Sequence, residues 1–277
     1  MSKLNIIVLA IAFTVLLVIV AAVVTDAVEL WIILTMLGSE SAYLVLSLLA
    51  YYLYRPSQGV RLVAAVVLAG TLVILAKHVL NMPRPPPSLW RVSVSGPGFP
   101  SGHTCVATAF WVEVYLAVRS LPYVLLSTTV ILGVGLSRIG LRVHYPRDVI
   151  GGFLLGFGVA LLVYLASSRL GEKRMCYLVS CLATLAAVLA YHVGASRFEL
   201  WALLGLALAL PLYSEKVDSI CPRTRLWKRM VAVTLILAIA LVLSKIARLT
   251  PLTSTASYLL MGMLMLRIVP EKTCSAG

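Results

Sequence analysis

Long apolar runs recur along the whole chain, separated by short polar stretches that hold most of the charges and prolines. Runs of about 17–25 apolar residues match the reach of a helix across the hydrocarbon core of a bilayer. The pattern predicts spans at 4–24, 38–54, 60–80, 103–119, 121–139, 147–167, 175–192, 198–213, 230–247 and 253–269. The segments 198–213 and 253–269 are short for a crossing. Residues 26–37, with Asp26, Glu29 and Trp31, read as an interfacial segment leading into the second span. The first run follows a single Lys3 and lacks a small-residue cleavage site, so it reads as a retained span rather than a removed signal peptide. The expected fold class is all-α, a polytopic membrane helical bundle.

Composition agrees with the pattern. Of 277 residues, 61% are hydrophobic and 12% charged, with a mean hydropathy of +1.01. A soluble domain keeps its surface wet with about a quarter of its residues charged, so most of this surface must face lipid. The net charge of +13 would suit nucleic acid in a soluble protein, but here it falls largely between spans. One side collects Lys3, Arg55, Arg61, Arg119, Arg169, Lys173, Arg174, Lys216, Arg223, Arg225, Lys228, Arg229, Arg267 and Lys272; the other keeps Arg91, Arg197, Lys245 and Arg248. The positive-inside rule makes the first side cytoplasmic, with both termini there. The expected location is the plasma membrane and the expected partner the bilayer, not nucleic acid. Cys105, Cys176, Cys181, Cys221 and Cys274 show neither metal-ligand spacing nor a paired framework.

Three segments place costly polar groups at span ends, where a functional explanation is the default. The first runs from Lys77 through Arg84 and Pro85; the prolines from Pro83 to Pro87 forbid the helix from continuing and stiffen its exit. A lysine at a helix C-terminus is also what dipole complementation or snorkelling would give. The second is Pro100-Ser101-Gly102-His103 at the start of the fourth span. Ser101 suits an N-cap and Gly102 leaves the backbone open, so the free N–H groups can bind an anion, and His103 beside them can give a proton to a leaving oxygen. A simple capped helix with a surface histidine fits the same letters.

The third segment holds Ser137, Arg138, Arg142, His144, Pro146, Arg147 and Asp148. Pro146 suits the first turn of a helix, which brings Asp148 close to His144. A carboxylate there can hold one imidazole N–H and leave the other nitrogen free to attack; a His–Asp pair that merely caps a helix is the alternative. Arg142 and Arg147 flank His144 and are candidate contacts for a second phosphate or for headgroups, interface anchoring being the other reading. Glu40, at the outer end of the second span, is a candidate for the substrate entrance. His78 and His192 fall outside the motifs and read as structural.

Taken together, the three segments resemble the signature of the type 2 phosphatidic acid phosphatase (PAP2) superfamily, membrane relatives of the vanadium haloperoxidases. That signature is Lys, six residues, Arg-Pro; then Pro-Ser-Gly-His; then Ser-Arg, five residues, His, three residues, Asp. Every fixed position is matched in order by Lys77, Arg84, Pro85, Pro100, Ser101, Gly102, His103, Ser137, Arg138, His144 and Asp148. The resemblance implies a six-span phosphatase core over residues 1–170. Residues 171–277 form a C-terminal transmembrane extension of about four helices to which the signature assigns no chemistry. It also implies two-step phosphoryl transfer. His144 attacks phosphorus to give a phosphohistidine, Asp148 orients it, and His103 protonates the leaving oxygen and then activates water. Lys77, Arg84, Arg138, Ser101 and Gly102 surround the phosphate oxygens. No carboxylate cluster stands ready for a metal, so neither metal nor other cofactor is expected.

An outward-facing site at headgroup level favours a lipid-borne phosphate, with a polyprenyl diphosphate or monophosphate foremost. A phospholipid phosphatase for phosphatidic acid or phosphatidylglycerophosphate is the nearest alternative, followed by a sugar phosphatase of the glucose-6-phosphatase kind. An inactive lipid-binding scaffold is the rival from a different class; intact His103, His144 and Asp148 argue against it. Placement of the motifs among membrane spans argues against a haloperoxidase.

Overall fold

A computed structural model of the chain describes residues 2–196, 198–221 and 224–273. Of the residues discussed above, Arg197, Arg223 and Cys274 lie outside those described. The secondary structure is helical, and no strand occurs among the described residues. Helix α1 (Lys3–Thr25) is followed by α2 (Val28–Met36) and α3 (Glu40–Leu49), the last running into a π-helical turn at Ala50–Tyr54. Then come α4 (Pro56–Leu80), α5 (Gly102–Val118), α6 (Leu121–Gly140), α7 (Pro146–Leu170) and α8 (Glu172–His192). The remainder is α9 (Phe198–Ala209), α10 (Lys216–Ile220), α11 (Leu226–Ile246), α12 (Pro251–Met263) and α13 (Val269–Thr273).

Each expected span coincides with a helix or a bent helix pair, with ends that differ by a few residues. Among the described residues seven helices are long and apolar enough to cross a membrane; the pair Val28–Met36 and Glu40–Tyr54, bent by 45°, makes an eighth if it is one span. Gly102–Val118 and Phe198–Leu212 are shorter apolar helices, whereas Pro251–Thr273, expected to be short, reaches 23 residues. The protein is an all-α, polytopic integral membrane protein. Residues 26–37, expected as an interfacial segment, hold α2. Among the cysteines Cys105, Cys176 and Cys181 are free. Cys221, for which the spacing suggested no pairing, is disulfide-bonded.

Packing groups the chain into two units: Met1–Tyr43 with Ala76–Leu161, and Leu44–Leu75 with Leu162–Gly277. The first unit contains α1, α2, the last turn of α4, α5, α6 and most of α7. Its core includes Ile19, Ala22, Trp31, Leu34, Leu141 and Val143, with Trp90, Val92 and Val94 of the α4–α5 loop packed against them. That loop is fastened at two neighbouring residues. Trp90 Nε1 donates to Pro85 O at 2.8 Å, and Arg91 Nη1 donates to Asp26 Oδ1 at 2.7 Å. In the second unit, Tyr52 donates its hydroxyl to Met265 O at 3.2 Å. There α9 and α12 also meet closely: a Cβ on Gly205 would stand 2.8 Å from Leu259 N.

Candidate active site

Four helix ends bring the three sequence segments together. Helix α4 stops at Leu80, and Asn81 takes the left-handed conformation (φ 42°) that commonly closes a helix. The stop therefore falls three residues before Pro83 and leaves Lys77 in the last turn. Lys77 Nζ donates to the carbonyls of Pro97 at 2.8 Å and Gly98 at 3.0 Å, drawing the end of the α4–α5 loop over the site. Arg84 Nε donates to Gly96 O at 2.9 Å on the same loop.

Helix α5 begins at Gly102 with Ser101 at the N-cap position, but the Ser101 hydroxyl makes no capping bond. Instead it accepts from Thr104 Oγ1 at 3.0 Å. The helix start is held through the backbone, because Ser101 N donates to Asp148 O at 2.8 Å. This bond joins the beginning of α5 to the beginning of α7. The two helices then run in close backbone contact: a Cβ on Gly152 would stand 2.5 Å from Ser101 O, and one on Gly156 would collide with Cys105 O. Only glycine allows this approach.

Between α6 and α7 the chain turns through Leu141 and Val143, both fully buried, with Arg142 in the left-handed region at φ 57°. The two apolar anchors fix His144 just before Pro146 opens α7. Asp148 Oδ2 lies 3.2 Å from His144 Nδ1 and accepts from Tyr145 N at 2.9 Å. Arg84 Nη1 lies 2.9 Å from His144 Nε2 and 2.9 Å from Val143 O. A guanidinium can only donate, so Nε2 must be the accepting nitrogen and the ring proton sits on Nδ1, facing Asp148. The lone pair of Nε2 is thus directed at the cationic side of the site.

His144 lies in the loop outside the spanning helices. Burial pushes its imidazole down to about 4; the Asp148 bond opposes this, and the charges of Arg84, Lys77 and Arg138 add to it. The neutral ring therefore persists well below the usual histidine range. His103, in the first turn of α5, is within electrostatic range of Arg138, His144, Lys77 and Arg84. Arg138 is 5% exposed; its Nη1 donates to Thr35 Oγ1 at 2.6 Å, and its Nε has no partner among the described residues. Lys77, Arg84, Ser101, Gly102, His103, Arg138, His144 and Asp148 thus meet at one place.

The accessory candidates separate. Arg147 stands with its guanidinium 5.0 Å from the Tyr145 ring centroid and its Nε 3.6 Å from Asp148 Oδ1. Arg142 is exposed and within electrostatic range of Asp26. Glu40 opens α3 and is within electrostatic range of Cys105, a turn beyond Ser101. The sequence reading missed Thr35, and it counted Arg91 only as a surface charge. It also missed Gly98, where a Cβ would stand 3.2 Å from Asp148 Oδ2. Among the described residues no group of three or more His, Cys, Asp or Glu is placed to hold a metal ion.

Such an arrangement can direct a nitrogen lone pair at an electrophile whose developing negative charge is met by cations and a helix N-terminus. Comparison with known proteins points the same way. The PAP2 superfamily model matches residues 58–172. The chain is 30% identical over 139 residues to an undecaprenyl-diphosphatase of Sulfolobus acidocaldarius, covering 48% of this chain and 67% of that one. It is 33% identical over 148 residues to glucose-6-phosphatase 3 of Mus musculus, covering 49% of this chain but 40% of the relative. A phosphatidylglycerophosphatase B of Bacillus subtilis is 36% identical over 74 residues, 36% of its length. No solved structure matches the chain. With the signature residues gathered at one site and these similarities, the chain belongs to the PAP2 superfamily.

Proposed function

We propose that the protein is an integral membrane phosphatase that hydrolyses a phosphate ester or diphosphate on a lipid, foremost a polyprenyl diphosphate or monophosphate, through a phosphohistidine. The observation that carries this reading is the polarised His144. Nδ1–H is committed to Asp148 at 3.2 Å, and the Nε2 lone pair points at Arg84. Substrate arrival would transfer Arg84 Nη1 from Nε2 to a phosphate oxygen, which frees the nucleophile and binds the charge in one movement.

In the first step the Nε2 lone pair forms a P–N bond while the P–O bond to the lipid breaks, and His103, protonated once the anionic substrate is bound beside it, gives its proton to the departing oxygen. In the second, neutral His103 takes a proton from water as its oxygen bonds to phosphorus; the P–N electron pair returns to Nε2 and inorganic phosphate leaves. Lys77, Arg84 and Arg138, with Ser101 and the Gly102 amide, receive the charge on the equatorial oxygens. That cation set can supply the neutralisation a metal ion supplies elsewhere, so the reaction runs without one.

Two lines support a lipid substrate. The site lies at the ends of apolar helices, where a lipid headgroup could reach it, and the undecaprenyl-diphosphatase relative is matched over the larger share of its length. The distribution of Lys and Arg supports cytoplasmic termini and a site open to the outer face of the plasma membrane. The test is phosphate release, with EDTA present, from a polyprenyl diphosphate, phosphatidic acid and glucose 6-phosphate, beside His144→Ala. We expect strongest release from the polyprenyl diphosphate and a loss on the order of a thousandfold or more in the variant. No release from any substrate, or undiminished release by the variant, would sink the enzymatic reading; preference for the sugar phosphate would sink the lipid one.

A further inference from the structure

Helix α2 carries none of the signature residues, yet it lies against the site. One face of it packs along α6. A Cβ on Gly140 would collide with the Trp31 indole, Leu34 stands 3.1 Å from where a Cβ on Gly133 would lie, and a Cβ on Gly38 would stand 2.6 Å from Val134. Positions 31, 34 and 35 share that face by helical spacing, and Gly38 follows in the turn just past the helix. Trp31 Nε1 donates to Asp26 Oδ1 at 3.1 Å, which sets the helix at its start. Thr35 is the polar member of the face, and it meets the most buried cation of the site, with Oγ1 2.6 Å from Arg138 Nη1. The turn that follows the helix also approaches the other histidine: a Cβ on Gly38 would stand 3.3 Å from His103 Cβ and 3.3 Å from Thr35 O.

We propose that Thr35 is a positioning residue for Arg138, holding the guanidinium so that its remaining donors face the phosphate oxyanion. This rests on the phosphatase reading of the site. Three features support it. Arginine is long and flexible, so a fork aimed at an oxyanion must be restrained at one nitrogen if the others are to arrive in register. Threonine's branched Cβ leaves it only two χ1 rotamers in a helix, and the one adopted here presents the hydroxyl as an acceptor to Arg138. Among the described residues the guanidinium's Nε has no partner while almost fully buried, a costly state that an incoming anionic oxygen would relieve. The hydroxyl holds one donor and the ligand takes another.

The test compares Thr35→Val, which keeps the shape and removes the hydroxyl, with Thr35→Ser, which keeps the hydroxyl. Full-length protein in detergent is titrated with orthovanadate and with inorganic phosphate, and kcat and KM are measured on the best lipid substrate. We expect Thr35→Val to weaken orthovanadate binding and to lower kcat/KM by about 10–100-fold. Most of the kinetic loss should fall in kcat, because the oxygens Arg138 meets gain charge in the transition state. Thr35→Ser should stay within about threefold of wild type, and neither variant should lower the melting temperature enough to account for the change. Unchanged oxyanion affinity and kcat/KM in Thr35→Val would overturn the proposal, as would equal damage from Thr35→Ser, which would assign the effect to side-chain shape. Oxyanion binding needs no turnover, so the two readings can fail separately. A wild-type chain that binds orthovanadate but hydrolyses nothing would count against the phosphatase and leave Thr35 to be judged by affinity; one that binds no oxyanion would overturn both.

Discussion

His144 has two ring nitrogens, and the neighbouring residues give them different jobs. Asp148 holds one and Arg84 faces the other, so the pair fixes a tautomer in which Nε2, the attacking nitrogen of the proposed mechanism, is unprotonated. In that mechanism the unprotonated ring is the reactive form. Burial, reinforced by the nearby cations, pushes its pKa down from 6.5 to about 4. Free-enzyme kcat/KM should therefore fall as pH drops through about 4, with no acid limb near 6.5. Arg84→Gln should move that limb upward, toward neutrality, since it removes one of the charges that disfavour protonation. An acid limb near 6.5 in the wild type, unmoved by the substitution, would refute this electrostatic account. At this scale the sequence shows the signature residues and not their supports. Spacing can reveal His144 and Asp148, because four residues is one helical turn. Thr35, by contrast, is a single hydroxyl in an apolar stretch, and nothing local says that folding will bring Arg138 to it.

The helices act mainly by ending in the right places. Helix α4 ends so that Lys77 reaches the loop carbonyls of Pro97 and Gly98, while α5 and α7 start side by side through the Ser101–Asp148 backbone bond. The register of α5 against α7 depends on Gly152 and Gly156. Gly152→Ala would force the helix starts apart at the point where His103 and Asp148 are set. We expect a loss of activity of roughly tenfold or more and a destabilisation of about 1–3 kcal/mol. Gly158→Ala, where an added methyl meets nothing within 4 Å, should change little. Circular dichroism melts and initial rates on the two variants check this, and equal behaviour would contradict it. The long helices were legible from the apolar runs, whereas the short α10 (Lys216–Ile220) in the basic loop was not. The close α5–α7 contact was not, since glycines in an apolar run mark a possible approach without naming the partner. The Ser101 cap shows the converse case: the residue stands where the letters suggest, yet its hydroxyl is bonded to Thr104 instead.

For the whole molecule, two divisions of the chain answer different questions. The signature and the family match, at residues 58–172, follow the chemistry. Packing instead sets Leu44–Leu75 with Leu162–Gly277, and that unit carries none of the signature residues. The sequence made the polytopic character plain through composition. It could not fix the number of crossings, because Gly102–Val118 and Phe198–Leu212 fall below the length of a full span while remaining apolar. Orientation is open to direct measurement. In a background with the native cysteines replaced by serine, Ser88→Cys in the α4–α5 loop should react with an impermeant maleimide on intact cells. Lys228→Cys should react only after permeabilisation. The reverse pattern would place the site on the inner face and remove the argument for an outward-facing substrate.

The central claim is that His144 Nε2 becomes bonded to phosphorus, and trapping that bond tests it most directly. Purified protein would be mixed with a substrate carrying radiolabelled phosphate, quenched in alkali and resolved for protein-bound label. The account predicts a phosphoprotein that survives alkali, is lost in acid, maps to the peptide containing His144 and is absent from His144→Ala. Rapid phosphate release with no label in the protein at any quench time, or label that persists in His144→Ala, would contradict it.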